Sequence, residues 1–193
     1  MQKLNKPFGV VIAGVGGQGA LTIAALLMEA AAKAGFYPLQ SEIHGMSQRG
    51  GSVNAQVLFD SHPVTSPMVT EGAADLLIGL EPLETLRYLS SMKKNAEIIT
   101  SIVPIKNMAN YPDIALLLEN LKKIKSAILM DTEAHVRELN NKHAGNITVL
   151  GKASTFMPIP EEVWEKVFTT VFAAKGTEVI AKNWQAFQYG RKL

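Results

Sequence analysis

Short, continuously apolar runs alternate along the chain with longer segments of helical spacing. Residues 8–13 (FGVVIA) are apolar at every position and end at a glycine turn, as a strand buried on both faces would. Residues 18–34, rich in Ala, Leu and Met and free of proline, predict a helix apolar on most faces, closed by Gly35. Residues 36–41 predict a second strand. Residues 53–59 alternate, with Val53, Ala55, Val57 and Phe59 on one face, and predict a third. Further strands are expected over 75–80, 97–103, 127–130 and 147–150, and helices over 83–92, 113–125 and 133–143. Two C-terminal helices, 161–175 and 177–189, are separated by Gly176. Strands alternating with helices predict an α/β fold: a three-layer α/β/α, open, mostly parallel, Rossmann-like sheet. Residues 61–72 (SHPVTSPMVTEG) carry two prolines and read as a surface loop or contact arm.

The chain has 193 residues, the size of one domain, and 1–193 are read as a single unit. Hydrophobic residues make up 47% and charged residues 19%, which is globular composition. The net charge of +2 gives no reason to expect nucleic acid as a partner. There are no cysteines, so thiolate-held clusters, cysteine zinc sites and disulfides are excluded for this chain, and a cytoplasmic location is expected. The run at 8–13 is too short to span a membrane, and no membrane association is expected.

Gly14, Gly16 and Gly19 fit G-x-G-x-x-G between a predicted strand and a predicted helix. Glycines there allow a tight turn, let a phosphate approach the backbone and leave helix N-terminal amides open. Glu42, near the end of the second strand, is close to where a ribose ligand would be bound. A stand-alone dinucleotide-binding dehydrogenase is one reading, and close strand–helix packing in a purely structural assembly module is another. Residues 41–52 (SEIHGMSQRGGS) are too polar for a core strand and lie where open α/β sheets bind ligands. Arg49 beside two glycines suits an anion or a partner carboxylate, and His44 is either an acid–base group or a loop hydrogen-bonding residue. Glu81 and Glu84 resemble paired acids, but Glu84 and Arg87 at i, i+3 predict a helix-surface ion pair. His62, His135 and His143 lie in unrelated contexts and suggest no metal site.

Together GVGGQG at 14–19, SEIHGMSQRGGSV at 41–53, SP at 66–67, ADLLIGLEPLETLRYL at 74–89 and NWQAFQYG at 183–190 resemble the gamma subunit or domain of 2-oxoacid:ferredoxin oxidoreductases. Within that family the chain looks most like the indolepyruvate branch. The resemblance implies a subunit of a complex that oxidatively decarboxylates a 2-oxoacid (indolepyruvate-like, pyruvate or ketoisovalerate) with coenzyme A and reduces ferredoxin. It implies thiamine diphosphate and iron–sulfur clusters in partner subunits, no firmly bound cofactor or catalytic residue here, and an inactive isolated chain. Gly16, Gly17, Gln18, His44, Gln48 and Arg49 are, by the same resemblance, candidate coenzyme A contacts, beside Gly14 and Gly19 of the turn.

Overall fold

The computed structural model describes residues 3–44 and 50–193, with only the backbone of His44. Among these residues six strands form one sheet in the order β2-β3-β1-β4-β5-β6, where β1 is Phe8–Val15, β2 Tyr37–His44, β3 Ser52–Asp60, β4 Ala74–Gly79, β5 Met92–Ser101 and β6 Ala127–Met130. β1, β4, β5 and β6 are parallel, and β3 runs against both of its neighbours, β1 and β2. The expected open, mostly parallel α/β sheet is therefore present, with a β2–β3 hairpin folded into it.

β1 is apolar throughout because both its faces are covered. Val10 and Ile12 belong to the large core beneath helices α1 (Ala20–Lys33), α5 (Ala144–Ser154), α6 (Glu161–Val171) and α7 (Thr177–Lys192). Val11 and Ala13 belong to a smaller core on the opposite face, where α2 (Pro82–Arg87) and α3 (Ile114–Lys122) pack. β3 alternates for the complementary reason: Val53, Ala55, Val57 and Phe59 enter the large core, while the Gln56 side chain, on the other face, accepts from the Val69 N–H at 2.8 Å. Val69 is the buried anchor of the 61–72 arm, most of which is exposed, including Met68.

Residues 147–150 are not a strand. They lie within α5, where Ile147, Thr148, Val149 and Leu150 are all buried. A short apolar run does not distinguish a buried strand from a helix enclosed on all sides, and α5 is enclosed by the sheet, α4 (Thr132–Glu138), α1 and α7. The helix expected over 83–92 is shorter: α2 ends at Arg87, a 3₁₀ turn covers Leu89–Ser91, and Met92 already opens β5. The helix expected over 133–143 ends at Glu138, and Asn140 turns the chain with φ 44. The segment expected over 161–175 is α6 followed by a 3₁₀ turn, Ala173–Lys175. No described helix is long and apolar enough to cross a membrane.

α5 and α7 meet backbone to backbone. A β-carbon on Gly151 would lie 2.2 Å from the Phe187 carbonyl oxygen, and one on Gly190 would lie 2.0 Å from that of Thr148. The close approach brings Phe187 against Trp164, Phe168 and Trp184, with ring centroids 5.1, 5.1 and 5.4 Å away.

His135 ties α4 to this pair. It is buried, its Nδ1 lies 3.1 Å from the Thr148 hydroxyl, and its ring meets Tyr189 edge-on. Burial pulls its pKa below the ordinary histidine value, against a weaker opposite pull from Asp131 and Glu138. The native state thus takes up this proton less readily than the unfolded chain. The stability contributed by neutral His135 is complete above the unfolded pKa of about 6.5 and is lost as pH falls from there toward the lower native pKa. Thermal unfolding between pH 8 and 5.5 should show the wild type losing more stability on acidification than His135→Gln, and parallel curves would refute this.

Candidate functional site

The chain leaves β1 for α1 on one face of the sheet and leaves the adjacent parallel strand β4 for α2 on the other. The carboxyl ends of two such strands form the crevice where open α/β sheets bind ligands. The glycine turn occupies this point. Gly19, immediately before α1, has φ 85, and a β-carbon on it would lie 2.3 Å from Asn146 Nδ2, so both conformation and space call for glycine. No side chain caps the α1 amino terminus. Gln18 holds the turn together: its Oε1 accepts from the Val15 N–H at 2.8 Å and its Nε2 donates to the Leu80 carbonyl at 2.7 Å. Asn146 Nδ2 donates to the Gln18 carbonyl at 3.0 Å.

Beside the turn lies an open cavity of about 550 Å³. Gly17, Gln18 and Gly19 line one side, the half-buried Val136 and Val179 supply apolar surface, and Ser101, which ends β5, and Thr132, which opens α4, also line it, their hydroxyls 2.8 Å apart. Lys142, His143 and Lys175 also line it, against the single carboxylate of Glu133. This excess of cationic groups beside helix N-terminal amides suits an anionic ligand. A smaller groove of about 370 Å³ lies on another side of the turn, between Val15, Gly16, Leu21 and Val53.

Of the residues singled out in the sequence, Gly17, Gln18 and Gly19 line the cavity and Gly16 lines the groove. Gly14 sits beneath the turn, with space for a β-carbon limited by Gln18 and Leu80 at 3.0 Å. Gln48, Arg49 and the His44 side chain lie outside the described residues. The end of their loop is described, and it meets the turn: the Gly16 N–H donates to the Gly51 carbonyl at 2.8 Å. Glu42 is displaced from the turn, because β3 separates β2 from β1; two strand spacings of about 4.8 Å each intervene. It is exposed and accepts from Gln40 on its own strand. A ribose-binding acid at the end of the strand beside β1 is therefore not what Glu42 provides.

No pattern in the sequence singles out Lys142, His143, Asn146 or Lys175 for this cavity; they come from the α4–α5 connection, the first turn of α5 and the 3₁₀ turn after α6, and converge only in the folded chain. Ser101 was within reach, since it ends a strand and ligands gather at strand carboxyl ends. Glu81 and Glu84 are both buried, at 1% and 2% exposure. The Glu84–Arg87 pair forms at 3.4 Å, but its carboxylate is inside the protein and not on a helix surface. Glu81 caps α2 and accepts from the Tyr111 hydroxyl, and burial together with that carboxylate pushes the phenol far above its ordinary pKa.

The fold and site define an α/β subunit-type domain with a glycine turn at the switch point of its sheet and a cation-rich cavity beside it. Over residues 9–193 the chain matches the pyruvate ferredoxin/flavodoxin oxidoreductase family, and it belongs to that family. It is 37% identical to an indolepyruvate oxidoreductase subunit IorB of Thermococcus kodakarensis, over 97% of this chain and 96% of that one. Its fold matches the keto/oxoacid ferredoxin oxidoreductase gamma subunit of Geobacter sulfurreducens with a TM-score of 0.72, covering 97% and 95% of the two chains at 19% identity. It also matches the 2-oxoglutarate:ferredoxin oxidoreductase of Magnetococcus marinus, solved with 2-oxoglutarate, coenzyme A and succinyl-CoA bound. The TM-score there is 0.76 at 20% identity, over 98% of this chain and 31% of that one. The family resembled by the motifs is the one to which the chain belongs.

Proposed function

We propose that this chain is the small subunit of a 2-oxoacid:ferredoxin oxidoreductase of the indolepyruvate type, contributing a coenzyme A-facing surface and no redox centre of its own. The observation that carries the reading is near full-length similarity to an indolepyruvate oxidoreductase subunit, at 37% identity. The cavity supports the coenzyme A assignment: phosphates suit the α1 amino terminus with Lys142 and Lys175, while Val136 and Val179 suit less polar parts of the molecule. Gly16, Gly17, Gln18 and Gly19 belong to the contact surface in this reading, with His44, Gln48 and Arg49 reaching it from the polar loop. Iron–sulfur clusters are assigned to partner subunits because this chain has no cysteine to hold one, and thiamine diphosphate because its sequence has no Gly-Asp-Gly of the thiamine diphosphate motif. Residues 1–193 act as one unit. The complex is placed in the cytoplasm, since the chain has no cysteine to form a disulfide.

Within the assembled enzyme the chain's work is to hold and orient the thiol substrate. Cationic groups hold its phosphates, and the crevice fixes the direction in which its thiol end leaves. Carbon–carbon cleavage and electron transfer to ferredoxin take place in the partner.

Two measurements test this. The purified chain, given 2-oxoacid and coenzyme A, is expected not to reduce a viologen dye, whereas the complex reconstituted with its large subunit does. Coenzyme A at a hundred times its Kd should stabilise the isolated chain by about 2.7 kcal/mol, a rise in Tm of about 5–10 °C. Dye reduction by the chain alone, or an unmoved Tm at saturating coenzyme A, overturns the corresponding part.

A further inference from the structure

The two buried glutamates have no part in the function just described, yet both are held by hydrogen bonds, Glu81 from the Glu84 and Ile105 N–H groups and Glu84 from the Ser52 hydroxyl. α2 has the layout of a capping box, with Glu81 as N-cap, Pro82 after it and Glu84 at the third helical position. Half of the box is formed, since the Glu84 N–H donates to Glu81 Oε2 at 2.8 Å. The Glu84 carboxylate reaches away from the helix, and its Oε2 accepts from the Ser52 hydroxyl at 2.5 Å. Ser52 opens β3 opposite Val15, the last residue of β1. One step further on, the Gly16 N–H donates to the Gly51 carbonyl at 2.8 Å and the Gly50 N–H to the Gly16 carbonyl at 3.4 Å. The glycine turn and the end of the polar loop are thus a short two-stranded stem, gripped at its base by Glu84. A carboxylate this deeply buried is costly unless it is paired, so its position is tightly determined.

We propose that Glu84 is a positioning residue: through Ser52 it fixes the end of the polar loop against the glycine turn, and thereby sets the surface that coenzyme A meets. The ligand half of this statement rests on the coenzyme A reading above; the mechanical half does not. Arg87 provides an internal control, because it pairs with Glu84 Oε1, at 3.4 Å, and not with the oxygen that accepts from Ser52.

The test is amide hydrogen exchange in the full chain, together with coenzyme A titration of the chain and KM in the assembled complex. Ser52→Ala and Glu84→Gln should each speed exchange at the Gly16 and Gly50 amides by about ten-fold and weaken coenzyme A by a similar factor, as expected for loss of one charge-assisted bond. The kcat at saturating coenzyme A should hold, Ser52→Thr should restore both readings, and Arg87→Ala, which leaves the Ser52 bond in place, should change both less than Ser52→Ala does. Unchanged exchange at Gly16 and Gly50 in Ser52→Ala, or faster exchange across the whole sheet, overturns the proposal. So does faster local exchange with unchanged coenzyme A affinity, if a Lys142→Ala/Lys175→Ala variant does weaken binding. If that lysine variant also leaves coenzyme A untouched, the coenzyme A reading has failed, and local exchange alone then decides whether Glu84 grips the stem.

Discussion

Gly190→Ala is expected to destabilise the chain by about 3 kcal/mol and to lower its Tm by about 6–12 °C. The added methyl group would sit 2.0 Å from the Thr148 carbonyl oxygen and 2.8 Å from its Cα, both backbone atoms of a buried helix. Neither can rotate away as a side-chain tip would. Relief requires α5 and α7 to move apart, and the rings of Trp164, Phe168, Trp184 and Phe187 are packed on the assumption that they do not. The same movement would loosen Arg191, which joins α7 to Ser154 at 2.8 Å and to Glu161 at 3.0 Å. Gly151→Ala should behave alike, since its methyl group would meet the Phe187 carbonyl at 2.2 Å. The two substitutions press on one interface, so their effects should not add. Guanidinium and thermal unfolding of the single and double variants provide the check. A wild-type Tm for Gly190→Ala would mean that the helices have room that the structure denies them.

Lys142→Ala/Lys175→Ala is expected to weaken coenzyme A binding by about ten- to a hundred-fold, less than two fully desolvated ion pairs would give, because both lysines are exposed and solvent screens them. The unliganded protein should melt within a degree or two of the wild type, as surface substitutions usually do. Raising the salt concentration should weaken the wild type toward the variant, since screening acts on the same charges. Calorimetric titration at two ionic strengths reads both effects. Equal affinities in variant and wild type would overturn the assignment of coenzyme A to this cavity, and with it the coenzyme A reading.

The motifs that made the family legible serve different ends in the folded chain. In NWQAFQYG, Trp184 and Phe187 build the aromatic core and Gly190 permits the helix crossing, so this part of the pattern is about packing. In EPLE the pattern is a helix start, and its second glutamate holds a loop. GVGGQG combines both: Gln18 is spent on the turn's own hydrogen bonds and Gly14 and Gly19 are confined by Gln18, Leu80 and Asn146, while Gly17 faces open space. A sequence motif reports that residue types are required, but packing and ligand contact require them in the same way.

The sequence by itself determined the alternation of strands and helices, the glycine turn between β1 and α1, the absence of cysteine ligands and the family. All of these are local, carried by periodicity and by residues adjacent in the chain. Tertiary structure alone decided three further matters. It placed β3 between β1 and β2, because antiparallel pairing of two edge-ward strands leaves no trace in their own periodicity, and so it moved Glu42 away from the turn. It made residues 147–150 a helix, since a short apolar run takes whichever form its neighbours can enclose and hydrogen-bond. It gathered Lys142, Asn146 and Lys175 around Gly17–Gly19, more than a hundred residues away, because a cavity at the end of a sheet is built from whatever loops and helix ends the topology returns to it.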